Sequence, residues 1–430
     1  MSQDIASTIE SAPAGSWSAL DRVLRARLHK QMSMLRGCRL RIVDALGDTT
    51  LGTPCDDPAQ TLHATVHVHD AGFYRQVAGN GSVGAGEAWM DAAWTCDDAV
   101  ALMRMLVRNR DLLDAMETGL ARIGTWTMRA WHALKRNTRS GSRRNIAAHY
   151  DLGNEFFRLF LDDNLMYSSA LYARADDTLE AASTRKLERI CAKLELGAND
   201  RVVEIGSGWG GFAIHAARHY GCHVTTTTIS REQHDLARAR VQAAGLADRV
   251  EVLLRDYRDL GGRYDKLVSI EMIEAIGHQY LDSYFSKVGA LLKPGGMALI
   301  QAITIEDHRY AQALRAVDFI KRYIFPGSFI PSVSAMLDAA ARTSDLKLFN
   351  LEDIGPSYAC TLAAWRARFH AHAMQVRALG YEERFMRMWD FYLAYCEAGF
   401  RERSTGDVQM LLVKPDCRRA QFVPDADDAA

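Results

Sequence analysis

The chain is predicted to be an α/β protein. It reads as a Rossmann-like, doubly wound parallel sheet preceded by a smaller, mostly helical α+β domain. Three observations carry this. From Arg201 onward, apolar runs of strand length alternate with amphipathic helical stretches. A glycine-rich turn, EIGSGWGG at 204–211, links the first of those runs to an alanine-rich helix. Ahead of them, residues 39–79 alternate with period two, as in TLHATVHVHD, between two helical stretches.

Taken in order, residues 1–16 and the tail PDADDAA (424–430) are small and polar and are expected to be disordered. Over 20–36, Leu20, Leu24, Leu28, Met32 and Leu35 form one helical stripe, with Arg22, Arg25, Arg27, Lys30 and Arg36 around it. Such a helix either packs inside its own domain or lies on an anionic bilayer. Residues 39–79 suggest a few antiparallel strands, and 86–134 are helical again. The basic stretch KRNTRSGSRRN (135–145) reads as a domain junction or a headgroup contact. Strands are expected at 201–206, 222–229, 250–254, 265–270 and 296–303. The helices between them are expected at 179–195, 211–220, 231–244 and 279–292. An aromatic-rich helical stretch (358–400), with Phe385, Trp389, Tyr392, Tyr395 and Phe400 at helical spacing, precedes a late strand at 407–415.

Composition narrows the function. The 430 residues carry a net charge of −1, so no global attraction to nucleic acid or anionic lipid operates. The eight cysteines, at 38, 55, 96, 191, 222, 360, 396 and 417, show neither C-x-x-C nor zinc-ligand spacing, which points to reduced thiols in a cytosol and to no metal. No apolar run approaches the ~20 residues that span a bilayer.

The glycine turn identifies the ligand class. Gly206 and Gly208 permit positive φ and close backbone approach, and Gly210 and Gly211 open a helix whose first N–H groups are unpaired. A nicotinamide site would show an acid at the end of the second strand. That place reads TTTTIS (225–230) instead, with LKPGG (292–296) before the fifth strand. Both features favour S-adenosylmethionine (SAM) and hence a class I SAM-dependent methyltransferase. Glu204, Gly206, Ser207, Gly208, Trp209, Gly210 and Gly211 would wrap its methionine end. Thr228, Ile229, Ser230 and Gln233 would meet the ribose, Asp256 and Tyr257 the adenine, and Tyr167 and Ser168 would close over the cofactor.

Several long stretches resemble the cyclopropane-fatty-acyl-phospholipid synthases and their mycolic-acid relatives. They include NIAAHYDLGNEFFRLFLDDNLMYSSALY (145–172), VSIEMIEAIGHQYLDSYF (268–285), KRYIFPGSFIPS (321–332) and FYLAYCEAGFRER (391–403); GEAWMDAAWTCDD (86–98) matches the same enzymes' N-terminal region. The resemblance implies methyl transfer from SAM to the cis double bond of a phospholipid acyl chain, followed by proton loss to bound bicarbonate and closure of a cyclopropane ring. It assigns the anion to the backbone of Ser169, to Glu274, Tyr358 and Cys396, and to Gln301, where many relatives have histidine. A glutamine amide can donate to an anion but cannot carry charge or relay a proton. A methyl-branched product and a non-catalytic lipid-binding relative therefore stay open. The resemblance further implies a lipid-docking or oligomerisation domain over 1–140 and a catalytic domain with acyl-pocket insertions over 141–420. It also implies a homodimer on the inner face of a membrane.

Overall fold

The computed structural model describes residues 17–111, 152–174 and 176–420. The expected disordered termini (1–16 and 424–430) and the basic junction at 135–145 lie outside the described residues. The chain divides into two compact units.

The first unit takes in the N-terminal residues together with 317–322 and 377–402. Its sheet runs β2 (Gly47–Leu51), β1 (Cys38–Asp44), β3 (Leu62–Val68), β4 (Trp94–Cys96). The expectation of antiparallel strands over 39–79 holds for β1–β2 but not for β1–β3, which are parallel, and the chain from Gly72 is already helical. Period-two alternation fixes which face is buried and says nothing of strand direction. Helix Ala19–Met32 opens on a capping box, in which Ser18 accepts from the Asp21 N–H and Asp21 accepts from the Ser18 N–H. It turns Asp21, His29 and Met32 inward, so Leu20 of the predicted stripe remains exposed, as does Val23 outside it. Helix Glu383–Arg401 packs on helix Ala99–Arg108, and Glu402 accepts from Arg104 (2.6 Å) and Arg108 (2.7 Å). Gly86, on helix Gly72–Met90, lies against Phe319, which in turn meets Phe391 at 4.6 Å.

The second unit carries the doubly wound sheet. Its strands are β5 (Arg201–Ile205), β6 (His223–Thr228), β7 (Val250–Leu254), β8 (Tyr264–Ile270), β9 (Leu292–Ile305), β10 (Lys347–Asp353) and β11 (Thr405–Val413). They are ordered β10-β11-β9-β8-β5-β6-β7. The five from β5 to β9 are mutually parallel, and β11 and β10 add antiparallel pairs at one side. Val202, Val203, Leu267, Val268, Leu299 and Ile300 are fully buried, as strands covered on both faces require. Helices Leu179–Leu194, Gly211–Tyr220, Arg231–Ala243 and Leu281–Leu291 coincide with the predicted ones to within two residues. Strand β10, with most of its side chains partly or fully open to solvent, was not anticipated. No helix among the described residues is long and apolar enough to cross a membrane.

A Cβ placed on Gly86 would sit 2.3 Å from the Phe319 ring. Gly86→Ala should therefore destabilise the first unit by about 1–3 kcal/mol, read as a lowered melting temperature.

Candidate active site

The strand order locates the site. Chain leaving β5 winds to β6 and β7 on one side, then returns to place β8 on β5's other flank. At such a reversal the carboxyl ends of the two central strands open into one crevice. The glycine turn follows β5 and the segment EMIEAIG follows β8, so both line it.

The turn is a cradle of backbone. Gly206, Gly208 and Gly210 all hold positive φ (98°, 47° and 86°). The N–H groups of Gly206 and Ser207 donate to the Thr227 carbonyl at 3.0 and 2.8 Å, which ties the turn to β6. A Cβ on Gly208 would meet nothing within 4 Å, whereas one on Gly211 would strike the Asn164 carbonyl and Met166 sulfur at 2.6 Å. Open space on one side and a close wall on the other suit a ligand laid against bare backbone. Helix Gly211–Tyr220 has no side-chain cap at Gly210, so its N-terminus faces the cradle unspent. Beneath the turn, Glu204 is 2% exposed, and its Oε2 has no hydrogen-bond partner. Burial pushes its carboxyl up from 4.5 to about 8. An orphaned buried carboxyl beside an open cradle fits a cationic, hydroxyl-bearing cofactor such as SAM.

The other predicted cofactor residues divide by what already holds them. Thr228 donates to Gln233 Oε1 at 2.8 Å, and Ser230 caps helix Arg231–Ala243 by accepting from the Gln233 N–H. Ile229 between them is half-buried. These residues shape the end of β6 through one another. Asp256 grips Arg258 through two bonds, 2.8 and 2.6 Å, while the buried Tyr257 hydroxyl has no partner. Ser207 folds its hydroxyl onto the Gly208 carbonyl at 2.9 Å. Trp209 is a packing residue: its indole N–H donates to Asn154 at 2.7 Å, and its ring lies 4.9 Å from Phe157. Tyr167 stacks on Trp365 with centroids 5.2 Å apart and meets Phe157 at 5.3 Å. Trp365 in turn meets Tyr358 edge-on at 6.1 Å. These rings form an aromatic wall that reaches the polar cluster described next.

In that cluster Ser169, Gln301 and Tyr358, three of the five residues predicted to hold the anion, come together around a group the sequence reading did not single out. Glu271 Oε1 accepts from the Ser169 N–H at 2.8 Å and from the Gln301 amide at 2.9 Å, and Oε2 accepts from the Tyr358 hydroxyl at 2.7 Å. Gln301 also donates to Asp407 at 3.0 Å and accepts from Gln409 at 3.1 Å. Glu274, predicted to orient the anion, accepts from the Ile303 N–H at 2.6 Å, and its Oε2 has no partner. Cys396 belongs to the first unit, on helix Glu383–Arg401, where burial and the neighbouring Asp318 push its thiol up. Ser168 accepts at 2.7 Å from Lys186, a fully buried lysine brought down to about 8 by desolvation and held up by Glu271, Asp162, Asp407 and Glu204. Lys186, Glu271 and Asp407 were missed. For Glu271 the signal was available: a second carboxylate in EMIE, directly after an apolar strand, stands at the same strand end as the first.

Donor count decides which carboxyl carries charge. Burial raises Glu271, but Tyr358, the Ser169 N–H, Lys186 and Gln301 all draw it back. Asp407, fully buried and facing Glu271 and Glu274, is held well above its usual range. Glu274 goes up to about 8 through desolvation and the Glu271 charge. All three carboxyls are thus raised, and the hydrogen bonds and Lys186 oppose the rise most at Glu271, so of the three it is the one whose charged form the site favours.

Residues 137–410 match the mycolic acid cyclopropane synthetase family. The chain is 36% identical over 414 residues to a tuberculostearic acid methyltransferase of Mycobacterium tuberculosis, covering 94% of each chain. It is likewise 36% identical over 349 residues to the cyclopropane-fatty-acyl-phospholipid synthase of Escherichia coli, covering 81% of this chain and 86% of that one. Among solved structures, a mycolic acid cyclopropane synthase complexed with SAH and CTAB superposes with a TM-score of 0.59 at 30% identity, over 63% of this chain and 98% of that one.

Glu204 yields a test of the cradle. Its folded carboxyl stays protonated to about pH 8, against an ordinary 4.5, so ionising it costs stability as pH rises between those values. Glu204→Gln should flatten the decline of melting temperature across that window. It should also weaken SAH binding at pH 8.5 on the order of tenfold, the worth of one hydrogen bond to a charged group, as read by calorimetry.

Proposed function

The chain belongs to the mycolic acid cyclopropane synthetase family, and from that premise we propose that it is a SAM-dependent methyltransferase acting on the cis double bond of unsaturated phospholipid acyl chains. The observation that carries this reading is the aromatic wall of Phe157, Tyr167, Trp365 and Tyr358, which runs from beside the glycine cradle to a desolvated carboxylate cluster.

An alkene is a weak nucleophile, so methylating it calls for proximity and exclusion of water rather than activation by a base. Bound SAM supplies an electrophilic methyl group. Once that methyl is attached, positive charge lies on the former alkene carbons. Ring faces attract a cation held against them, and Trp365, 1% exposed, has no water to compete. Loss of a proton from the added methyl then completes the reaction. Direct closure gives a cyclopropane. The relative that matches over 94% of both chains is named a tuberculostearic acid methyltransferase, and this favours a second reading in which proton loss without ring closure leaves an unringed, branched chain that keeps a double bond.

Access to a double bond inside a bilayer requires docking at its surface. Helix Ala19–Met32 supports this: Leu20 and Val23 are 56% and 63% exposed, beside exposed Arg22, Arg27 and Lys30. Peripheral binding to an anionic inner membrane surface is part of the proposal.

Protein incubated with SAM and vesicles of a cis-monounsaturated phospholipid should release SAH, whereas vesicles of the saturated lipid should release none. Proton NMR of the product separates the two readings, since ring methylene protons resonate far upfield of any branched methyl. Equal SAH release from both vesicles would remove the acyl double bond as the target.

A further inference from the structure

Resting on that reading, we infer that the carboxylate of Glu271 is the proton acceptor of this enzyme and occupies the position where its relatives' pattern calls for a bound bicarbonate.

Of the five residues to which the resemblance assigns the anion, the Ser169 backbone, Gln301 and Tyr358 already donate to Glu271, at 2.8, 2.9 and 2.7 Å, while Glu274 accepts from the Ile303 N–H and Cys396 belongs to the first unit. A backbone amide and a phenol have one proton each, and both are used here. The Gln301 amide has two, directed to Glu271 and Asp407. These groups therefore have no donor left for a second planar anion, which would also face the charge of Glu271 across a desolvated gap. The residues do not fit bicarbonate because a carboxylate of the chain's own already fills its place.

Backbone geometry agrees. Glu271 is left-handed, with φ 47°, one of few non-glycine residues among those described to be so. That conformation costs about 1–2 kcal/mol for an L-residue and persists only where the surroundings impose it. Here the Glu271 N–H donates to the Gln301 carbonyl at 2.8 Å, which ends the strand and turns the side chain inward. The adjoining Met272 packs on the cofactor turn, since a Cβ on Gly206 would lie 3.1 Å from its Cγ. Glu271 thus stands between the glycine cradle and the aromatic wall, with Lys186 as the buried cation behind it.

The step balances without a co-reactant. One alkene carbon bonds to the methyl carbon as the carbon–sulfur bond breaks, and its pair of electrons leaves with SAH. Glu271 then takes a proton from the added methyl. The released C–H pair forms the third carbon–carbon bond, or a double bond in the unringed product. The proton passes to solvent, so SAM and alkene give SAH, product and one proton.

The test uses full-length protein, SAM and cis-monounsaturated phospholipid vesicles in carbon-dioxide-purged buffer, with and without millimolar bicarbonate. Wild type should run at one rate in both. Glu271→Gln should lose about 10²–10⁴-fold in turnover, the range for a general base, while binding SAH with unchanged affinity. Glu271→Gly, which vacates the position, should recover activity when bicarbonate is added. A wild type that stops without bicarbonate and restarts with it overturns the inference, as does Glu271→Gln with full turnover. If Glu271→Gln does not fold, the wild-type bicarbonate comparison decides alone. A wild type that releases no SAH under any condition defeats the functional reading itself, and this inference with it.

Discussion

A parallel sheet covered on both faces can expose chemistry only at its strand ends, and the rest of the catalytic unit follows from that constraint. The faces of β5, β8 and β9 are filled by Val202, Val203, Leu267, Val268, Leu299 and Ile300, all fully buried. Function is therefore pushed to the carboxyl edge, and the reversal of winding at β5 opens a crevice there. Two segments must share it, the glycine turn after β5 and EMIEAIG after β8. Their contact through Gly206 and Met272 brings a cofactor cradle and a carboxylate cluster within reach of one another.

Electrostatics then sorts the cluster. Glu204, Glu271, Glu274 and Asp407 are all pushed upward by burial, with Lys186 as the buried cation that draws on each of them except Glu274. They cannot all be ionised in so dry a place, and the hydrogen bonds break the tie. Glu271 holds three donors, while Glu274 and Asp407 each retain an oxygen without a partner. A single carboxylate stabilised by fixed dipoles, against aromatic faces and away from water, is compatible with a short-lived carbocation. A free hydroxide or a mobile charged side chain would quench one.

The strands and helices of the catalytic unit were legible because each is a local pattern. Apolar or threonine-rich runs of five to eight residues marked β5 to β8, and Thr178 and Ser230 mark helix starts as caps should. Strand β10 was not legible: at the sheet edge its side chains are largely open, so no alternation distinguishes KLFNLED from a loop. Likewise, nothing in the local sequence of 317–322 or 383–401 announces that these segments join the first unit. Their hydrophobic partners lie some 200 to 300 residues away.

By itself the sequence determined the sheet, the glycine turn and its class of ligand, for which short-range periodicity and residue chemistry suffice. Ser169, Gln301 and Tyr358 were grouped around one anion only by the family resemblance. Which carboxyl of the chain they meet was decided only in three dimensions. Glu271 and Glu274 are both carboxylates at the end of one strand, three residues apart and alike in composition. The left-handed turn at Glu271 and the pairing of β9 with β11, which brings Gln301 and Asp407 together, settle which of the two meets the donors. Those are long-range geometric facts, and local patterning does not encode them.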